Sequence, residues 1–379
     1  MGYIRITGIF LIAFLAASIV MAALYLPQAV KDTENPTLKG LLHGTWAPGF
    51  EKSLNDALPV EDLSRDSWGE AEFSLFGQGR KGVVVGENGW LFTDEEFECP
   101  KEFSSRVSEN LDYIVGAADR LQKQGIRVAV VLVPAKVRLY PEHLGAQVVP
   151  GCRTGIYAQT LAFMQKHNIQ AVDLLTPMVS AGADKDGFFL HTDTHWSPAG
   201  AGFAAKIASE QVSGVEGDSK TYQTSEGADG VHEGDLLRYL PGVPDRDIKR
   251  DAMHAFTTEA SLDSSESGAD DAALALFGDD IPPIALVGTS YSANLKWHFL
   301  GFLKEYFEAD ILNMADEGRG PFTVMEKYLR SDALKNTPPK LVIWEIPERY
   351  MTSKPDIEAE LKEDKEDNKE DNKEDGEAK

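Results

Sequence analysis

Cysteine is scarce, with two residues in a chain of 379. That excludes a disulfide-built scaffold and a cysteine-based zinc module. Basic residues are also few, 37 Lys and Arg against 61 Asp and Glu, for a formal net charge of −24. Phosphate neutralisation drives nucleic-acid affinity, so the sequence argues against a nucleic-acid partner. The same deficit suits it poorly to gripping a long polyanion along much of its surface. Screening beyond about 10 Å leaves room for a local basic groove. No HExxH pattern occurs. What remains is the composition of a globular protein, 42% hydrophobic and 26% charged. Wholesale disorder, collagen and a polytopic membrane protein are excluded.

The two ends read differently from the middle. Residues 6–26 are uncharged and mostly apolar, preceded by Arg5 and followed by Pro27 and Lys31. About 20 apolar residues match a bilayer core, whereas a signal peptide's apolar core is about 7–15. Length favours an uncleaved anchor over a removed signal, and both imply export. Residues 1–31 are therefore expected to be a signal or inner-membrane anchor, with Arg5 on the inner side. At the other end, residues 356–379 hold 12 acids and 5 lysines in a KEDN-like repetition. So little apolar surface cannot offset the entropy of ordering, which predicts a disordered tail. Residues 32–355 are left as one large domain. Within them, the acidic, serine-rich stretch 259–271 reads as a surface loop.

The middle alternates strand and helix. Residues 82–93 form two apolar runs about Asn88-Gly89, a hairpin signal. Phe103, Val107, Leu111, Ile114 and Leu121 have helical spacing over 101–124, and the continuous apolar run 126–134 reads as a buried strand. Helix over 156–167, strand over 169–175 and helix over 198–212 follow, the last with Ser197 as N-cap. Beyond the acidic loop come strand 284–288, helix 292–307, strand 311–312, helix 322–329 and strand 341–346. This pattern predicts an α/β fold, a mainly parallel sheet covered on both faces. Such sheets place their sites at the carboxyl ends of strands.

Two segments lie at such ends. In the first, Asp193 and His195 are two residues apart, so an extended backbone points both to one face. The second, 287–292, sets Ser290 between a strand and a helix, the logic of a nucleophile elbow without its usual motif. A serine hydroxyl needs a base, and the base needs an orienting acid. Ser290, His195 and Asp193 supply the three parts. Two other readings remain: Ser290 as a simple helix cap, and His191, Asp193 and His195 as metal ligands on one strand face.

These residues also resemble a known family. DTHW at 193–196, SPAG at 197–200 and GTSYS at 288–292 are similar to the SGNH hydrolase-like alginate O-acetylation proteins. ENGWLF at 87–92, VPAKVRLYPE at 133–142, GDLL at 234–237 and WEIPERY at 344–350 extend the likeness over most of residues 82–350. The resemblance implies a three-layer α/β/α fold with circularly permuted motif order. It implies Ser290 as nucleophile, His195 as base, Asp193 as orienting acid and no cofactor. It also implies acetyl transfer in the periplasm, alongside a membrane-bound acetyl-donor O-acyltransferase, other acetylation proteins, and alginate as the acceptor. One branch of the family carries a carbohydrate-binding module after its catalytic region. Only 89 residues follow Ser290 here, so no such module is expected.

The oxyanion site is less plain. The Ser290 backbone is the first candidate and the turn around Arg319 the second. Tyr291 is a candidate wall of the acyl pocket, and Lys136, with Arg138, a strand-end cation near the site. Cys99 and Cys152 form an even pair in an exported chain, readable as a disulfide or as two buried thiols. His298 reads as structural, Trp196 and Trp344 as core or site-wall aromatics, and His232 and His254 lie in polar stretches with no assigned role. An exported acetylesterase with the same triad and a non-catalytic scaffold of the acetylation complex are the competing functions.

Overall fold

The computed structural model describes residues 2–33, 36–58, 60–212, 214, 221–244, 247–261, 281–355, 357–359 and 361. Of the expected acidic tail only residues 357–359 and 361 are described, as helix, and the acidic loop beyond Ser261 lies outside the described residues. The chain forms two compact units, Met1–Gly77 with Leu240–Pro244, and Gln78–Tyr239 with Asp245–Lys379. The boundary at Gly77 differs from the expected one at residue 31.

The first unit is helical. Helix α1 (Gly2–Asp32) contains Pro27 and packs on α3 (Ala47–Ala57). Between them, α2 (Leu38–His43) is capped by the Thr37 hydroxyl, which accepts from Gly40 N. Helix α4 (Val60–Phe76) passes so close to Pro241 that a Cβ on Gly69 would lie 2.2 Å from its carbonyl oxygen. The apolar run 6–26 lies within α1. Among the described residues no helix is long and apolar enough to cross a membrane, so the anchor expected over residues 1–31 finds no support there.

The second unit is built on a sheet. Strands β1 (Val83–Val85) and β2 (Leu91–Thr93) pair antiparallel. Asn88 and Gly89 supply positive φ angles of 57° and 82° at the turn between them. The central sheet has five parallel strands: β3 (Arg127–Val133), β4 (Gln170–Asp173), β7 (Ile284–Val287), β8 (Ile311–Asn313) and β9 (Leu341–Pro347). Their spatial order is β4-β3-β9-β7-β8. Successive side chains on β3 enter two separate cores. Val128, Val130 and Leu132 pack with α5 (Phe103–Gln122), α6 (Ile156–Lys166) and α10 (Gly320–Arg330). Ala129, Val131 and Val133 pack with α7 (Pro198–Gln211) and α9 (Phe299–Phe307). Burial on both faces explains why these strands read as unbroken apolar runs. The result is the three-layer α/β/α arrangement.

Two elements differ from expectation. The helix expected over 292–307 is broken into α8 (Ser290–Ala293), a 3-10 turn, and α9. His298 divides the last two at φ 58°, its Nε2 2.7 Å from Thr258 Oγ1. A long antiparallel ribbon, β5 (Thr221–His232) with β6 (Asp251–Ser261), was not visible in the sequence. It is polar and largely exposed, and a bulge between Glu226 and Asp229 breaks its alternation. At its base His232 lies opposite Asp251, which brings both residues to the site.

Candidate active site

Ser290 heads α8, three residues beyond the end of β7, with Thr289 as the N-cap. Thr289 Oγ1 accepts from Tyr291 N at 3.4 Å. The segment carrying Asp193 and His195 is a short loop closed by the bridge between Phe189 and Trp196. That loop is held from every side. Asp251 accepts from the backbone N–H groups of His191 and Thr192 at 2.8 and 3.0 Å, and Asp235 from Thr194 N at 2.8 Å. The Tyr291 hydroxyl donates to the Thr194 carbonyl.

These supports set up a chain of short contacts. Ser290 Oγ lies 2.7 Å from His195 Nε2, and His195 Nδ1 lies 2.6 Å from Asp193 Oδ1. The same Oδ1 accepts from His195 N at 2.9 Å, an Asx-type turn, so Asp193-Thr194-His195 is bent and not extended as the sequence reading expected. Asp193 Oδ2 takes His232 Nε2 at 2.7 Å and Asp235 N at 3.0 Å. Trp297 stacks on the His195 ring with centroids 5.2 Å apart, and its Nε1 donates to Ser290 O at 3.1 Å. One indole therefore touches both ends of the Ser–His bond. Burial pushes the Asp193 carboxyl up, but hydrogen bonds from His195 and His232 outweigh it and hold the group well below the carboxylate range. It stays ionised, as a partner for an imidazolium requires.

His232 corrects the sequence reading, which gave it no role. It approaches Asp193 on the carboxylate oxygen that His195 does not use. Lys136 corrects it in the other direction. The side chain is 1% exposed, and its Nζ lies within 3.0 Å of the carbonyls of Leu91, Leu190, His191 and Asp193. Burial pulls the ammonium down to about 8, opposed by Glu96, Asp251, Asp193 and Asp235. An ammonium so committed ties the loop to β2 and is not presented to a substrate. Tyr291 is 2% exposed with its hydroxyl spent on Thr194, so it braces the His195 loop and does not offer that hydroxyl to a pocket.

Arg138 pairs with Glu348 at 2.6 Å and does not face the triad. Arg319 is the N-cap residue of α10 and lines a cavity of about 230 Å³ whose walls include none of the three triad side chains. Trp344 is buried on the α5 side, donating to Pro321 O at 3.2 Å, and Trp196 donates to Tyr291 O at 3.1 Å. His254 is an exposed partner of Asp229 at 2.7 Å. Cys99 and Cys152 are joined, with Cα atoms 6.3 Å apart.

The metal reading does not assemble on its expected ligands. His191 Nδ1 turns to Asp251 at 2.7 Å, and this contact, with the Thr192 donors, overcomes burial to hold Asp251 at about 2. Asp193, His195 and Asp235 do gather ligand atoms within 4.8 Å of one another. Each of their carboxylate oxygens already accepts hydrogen bonds from Thr194, His195, His232 or Asp235. A cation there would displace those donors, so the group fits an orienting network better than a metal centre.

The family model for the SGNH hydrolase-like domain of the acetyltransferase AlgX matches residues 83–348. The probable alginate O-acetylase AlgJ of Pseudomonas syringae pv. tomato is 39% identical over 323 residues, covering 84% of this chain and 81% of that protein. The Pseudomonas aeruginosa protein of the same name is 37% identical over 327 residues, covering 84% and 82%. Among solved structures, the O-acetyltransferase domain of Pseudomonas putida AlgJ is 38% identical with a TM-score of 0.65, covering 74% of this chain and 95% of that one. Pseudomonas aeruginosa AlgX follows at 26% identity and a TM-score of 0.54, covering 70% and 62%. The chain belongs to the SGNH hydrolase-like acetyltransferase family of AlgJ and AlgX.

Proposed function

We propose that the chain is an alginate O-acetyltransferase that works through an acetyl ester on Ser290. The observation that carries this is the unbroken contact chain from Ser290 Oγ through His195 to Asp193, at 2.7 and 2.6 Å. His195 Nε2 takes the Ser290 proton as Oγ bonds the carbonyl carbon of an acetyl ester or thioester donor. The donor's C–O or C–S bond then breaks, and its leaving group takes that proton from the imidazolium. In the second half an acceptor hydroxyl gives its proton to His195 and attacks the acetyl carbon. Ser290 leaves and takes the proton back. Asp193 keeps the imidazole in the correct tautomer and stabilises its cation in both halves. The Ser290 backbone N–H, at the head of α8, is the first candidate donor to the developing oxyanion.

The acceptor is alginate, as the names of the AlgJ relatives support, with a mannuronate hydroxyl as the group acetylated in this proposal. The setting is the periplasm, with the apolar N-terminal run acting in export or in tethering to the inner membrane, a membrane-bound O-acyltransferase as donor and AlgX-like proteins as partners. Incubating the chain with 4-nitrophenyl acetate and mannuronate oligomers tests this reading. Acetylated oligomer is expected from the native chain and not from Ser290→Ala. Release of free acetate alone would replace transfer by esterase activity, and equal acetylation by Ser290→Ala would leave the chain a scaffold.

A further inference from the structure

Glu345 lies on β9, between β3 and β7, opposite Val131, and is 0% exposed. It falls on the face of the sheet that α7 and α9 cover, sharing the parity of Leu341 and Ile343. Every other residue of that strand except Pro347 is apolar. A carboxylate in such a place is costly unless its oxygens are satisfied. Its Oε2 accepts from Thr289 N at 2.7 Å, from Thr289 Oγ1 at 3.1 Å and from Ser292 Oγ at 3.0 Å. These donors come from the residue before Ser290 and from the second residue after it. The chain also turns directly against the carboxylate, since a Cβ on Gly288 would sit 2.6 Å from Oε2 and 2.8 Å from Ser292 Oγ. One buried oxygen thus holds the Thr289 backbone before Ser290 and the Ser292 hydroxyl after it.

We propose that Glu345 is a positioning residue for Ser290, its ionised carboxylate holding the strand-to-helix turn at the angle that lets Ser290 Oγ reach His195 Nε2. The inference rests on the reading of Ser290 as the nucleophile. Burial pushes Glu345 up to about 7, against the opposing pull of the Thr289 and Ser292 donors and of Arg349. The charged or titratable groups that act on it are Arg349, in the segment that follows β9, and Tyr291 on α8. On protonation the carboxyl gains an O–H and gives up acceptor capacity that Thr289 and Ser292 use. The turn loosens, and acylation slows as pH falls through that value.

The test is Glu345→Gln in the full chain, which keeps the volume and mimics the protonated state. With 4-nitrophenyl acetate at pH 8, kcat is expected to fall about 100-fold while KM stays within about twofold. The melting temperature should hold, and the rate profile should lose the inflection near pH 7 that Glu345 gives the native chain. In the native chain that inflection should be present, a measurement that needs no variant. Unchanged kcat and an unchanged profile in Glu345→Gln would overturn the inference, as would a native profile with no inflection there. A fall in melting temperature with normal turnover of the folded fraction would overturn it too. If Ser290→Ala is inactive while Glu345→Gln matches the native chain, only this inference fails. If Ser290→Ala is active, the nucleophile reading itself fails.

Discussion

The two loops that meet at the Ser290–His195 contact are held in opposite ways. The loop carrying Asp193 and His195 is gripped by Lys136 from below, by Asp251 and His232 at the base of the ribbon, and by Asp235 and Tyr291. The turn carrying Ser290 is held by Glu345, by the Trp297 indole that also stacks on the base, by Trp196 on Tyr291 O and by Asp316 N on Gly288 O. The base loop is over-determined, so the loss of one contact is shared among the rest. In the turn of the proposed nucleophile, by contrast, a single acid meets donors on both sides of Ser290, so a change in that acid is felt at Oγ. That division would suit the proposed acyl transfer, in which His195 keeps Nδ1 on Asp193 while Ser290 alternates between hydroxyl and ester.

The largest expected effect comes from breaking the contact itself. Ser290→Ala or His195→Ala should lower acetyl transfer by about 1000-fold or more, measured as acetylated mannuronate oligomer over time. Equal loss in the double variant would show that the two act as one unit. Next is Lys136→Met, which removes the ammonium that four carbonyls share. We expect about 3–5 kcal/mol of destabilisation in denaturant unfolding, with turnover falling only as the folded fraction falls. Normal stability would show that the base loop does not need its support from below. His232→Ala should lower kcat about tenfold, or about 1.4 kcal/mol, and leave KM alone, because Asp193 keeps His195 and Asp235 N as partners. A 1000-fold loss there would break the comparison, since it would make the His195 loop depend on one contact. The smallest effect on activity should follow Cys152→Ser. Opening the link across a sequence separation of 53 residues should cost about 4 kcal/mol of stability, read by unfolding, with kcat unchanged.

Much of this was legible in the residues, for reasons that also mark where reading stops. The apolar runs of β3 and β9 announced a sheet buried on both faces, and positions at strand ends singled out Ser290, Asp193 and His195. Asn88-Gly89 fixed a hairpin because few other pairs accept two positive φ angles. His232 was not legible, because the strand that delivers it is largely polar and exposed and its pairing is shifted by a bulge. Lys136 was misread because a cation past a strand end looks the same in sequence whether it faces solvent or four carbonyls. Glu345 did leave a signal, a lone acid in the apolar run LVIWEIP. In such a strand a charge is costly unless something across the sheet edge binds it.

The most direct measurement is the site of acylation. The full chain is treated briefly with 4-nitrophenyl acetate, digested, and sequenced by mass spectrometry. The account requires one stoichiometric acetyl ester on Ser290, absent in His195→Ala and removed when mannuronate oligomers are added. Acetyl found elsewhere, or on Ser290 at the same rate without the imidazole, would contradict it.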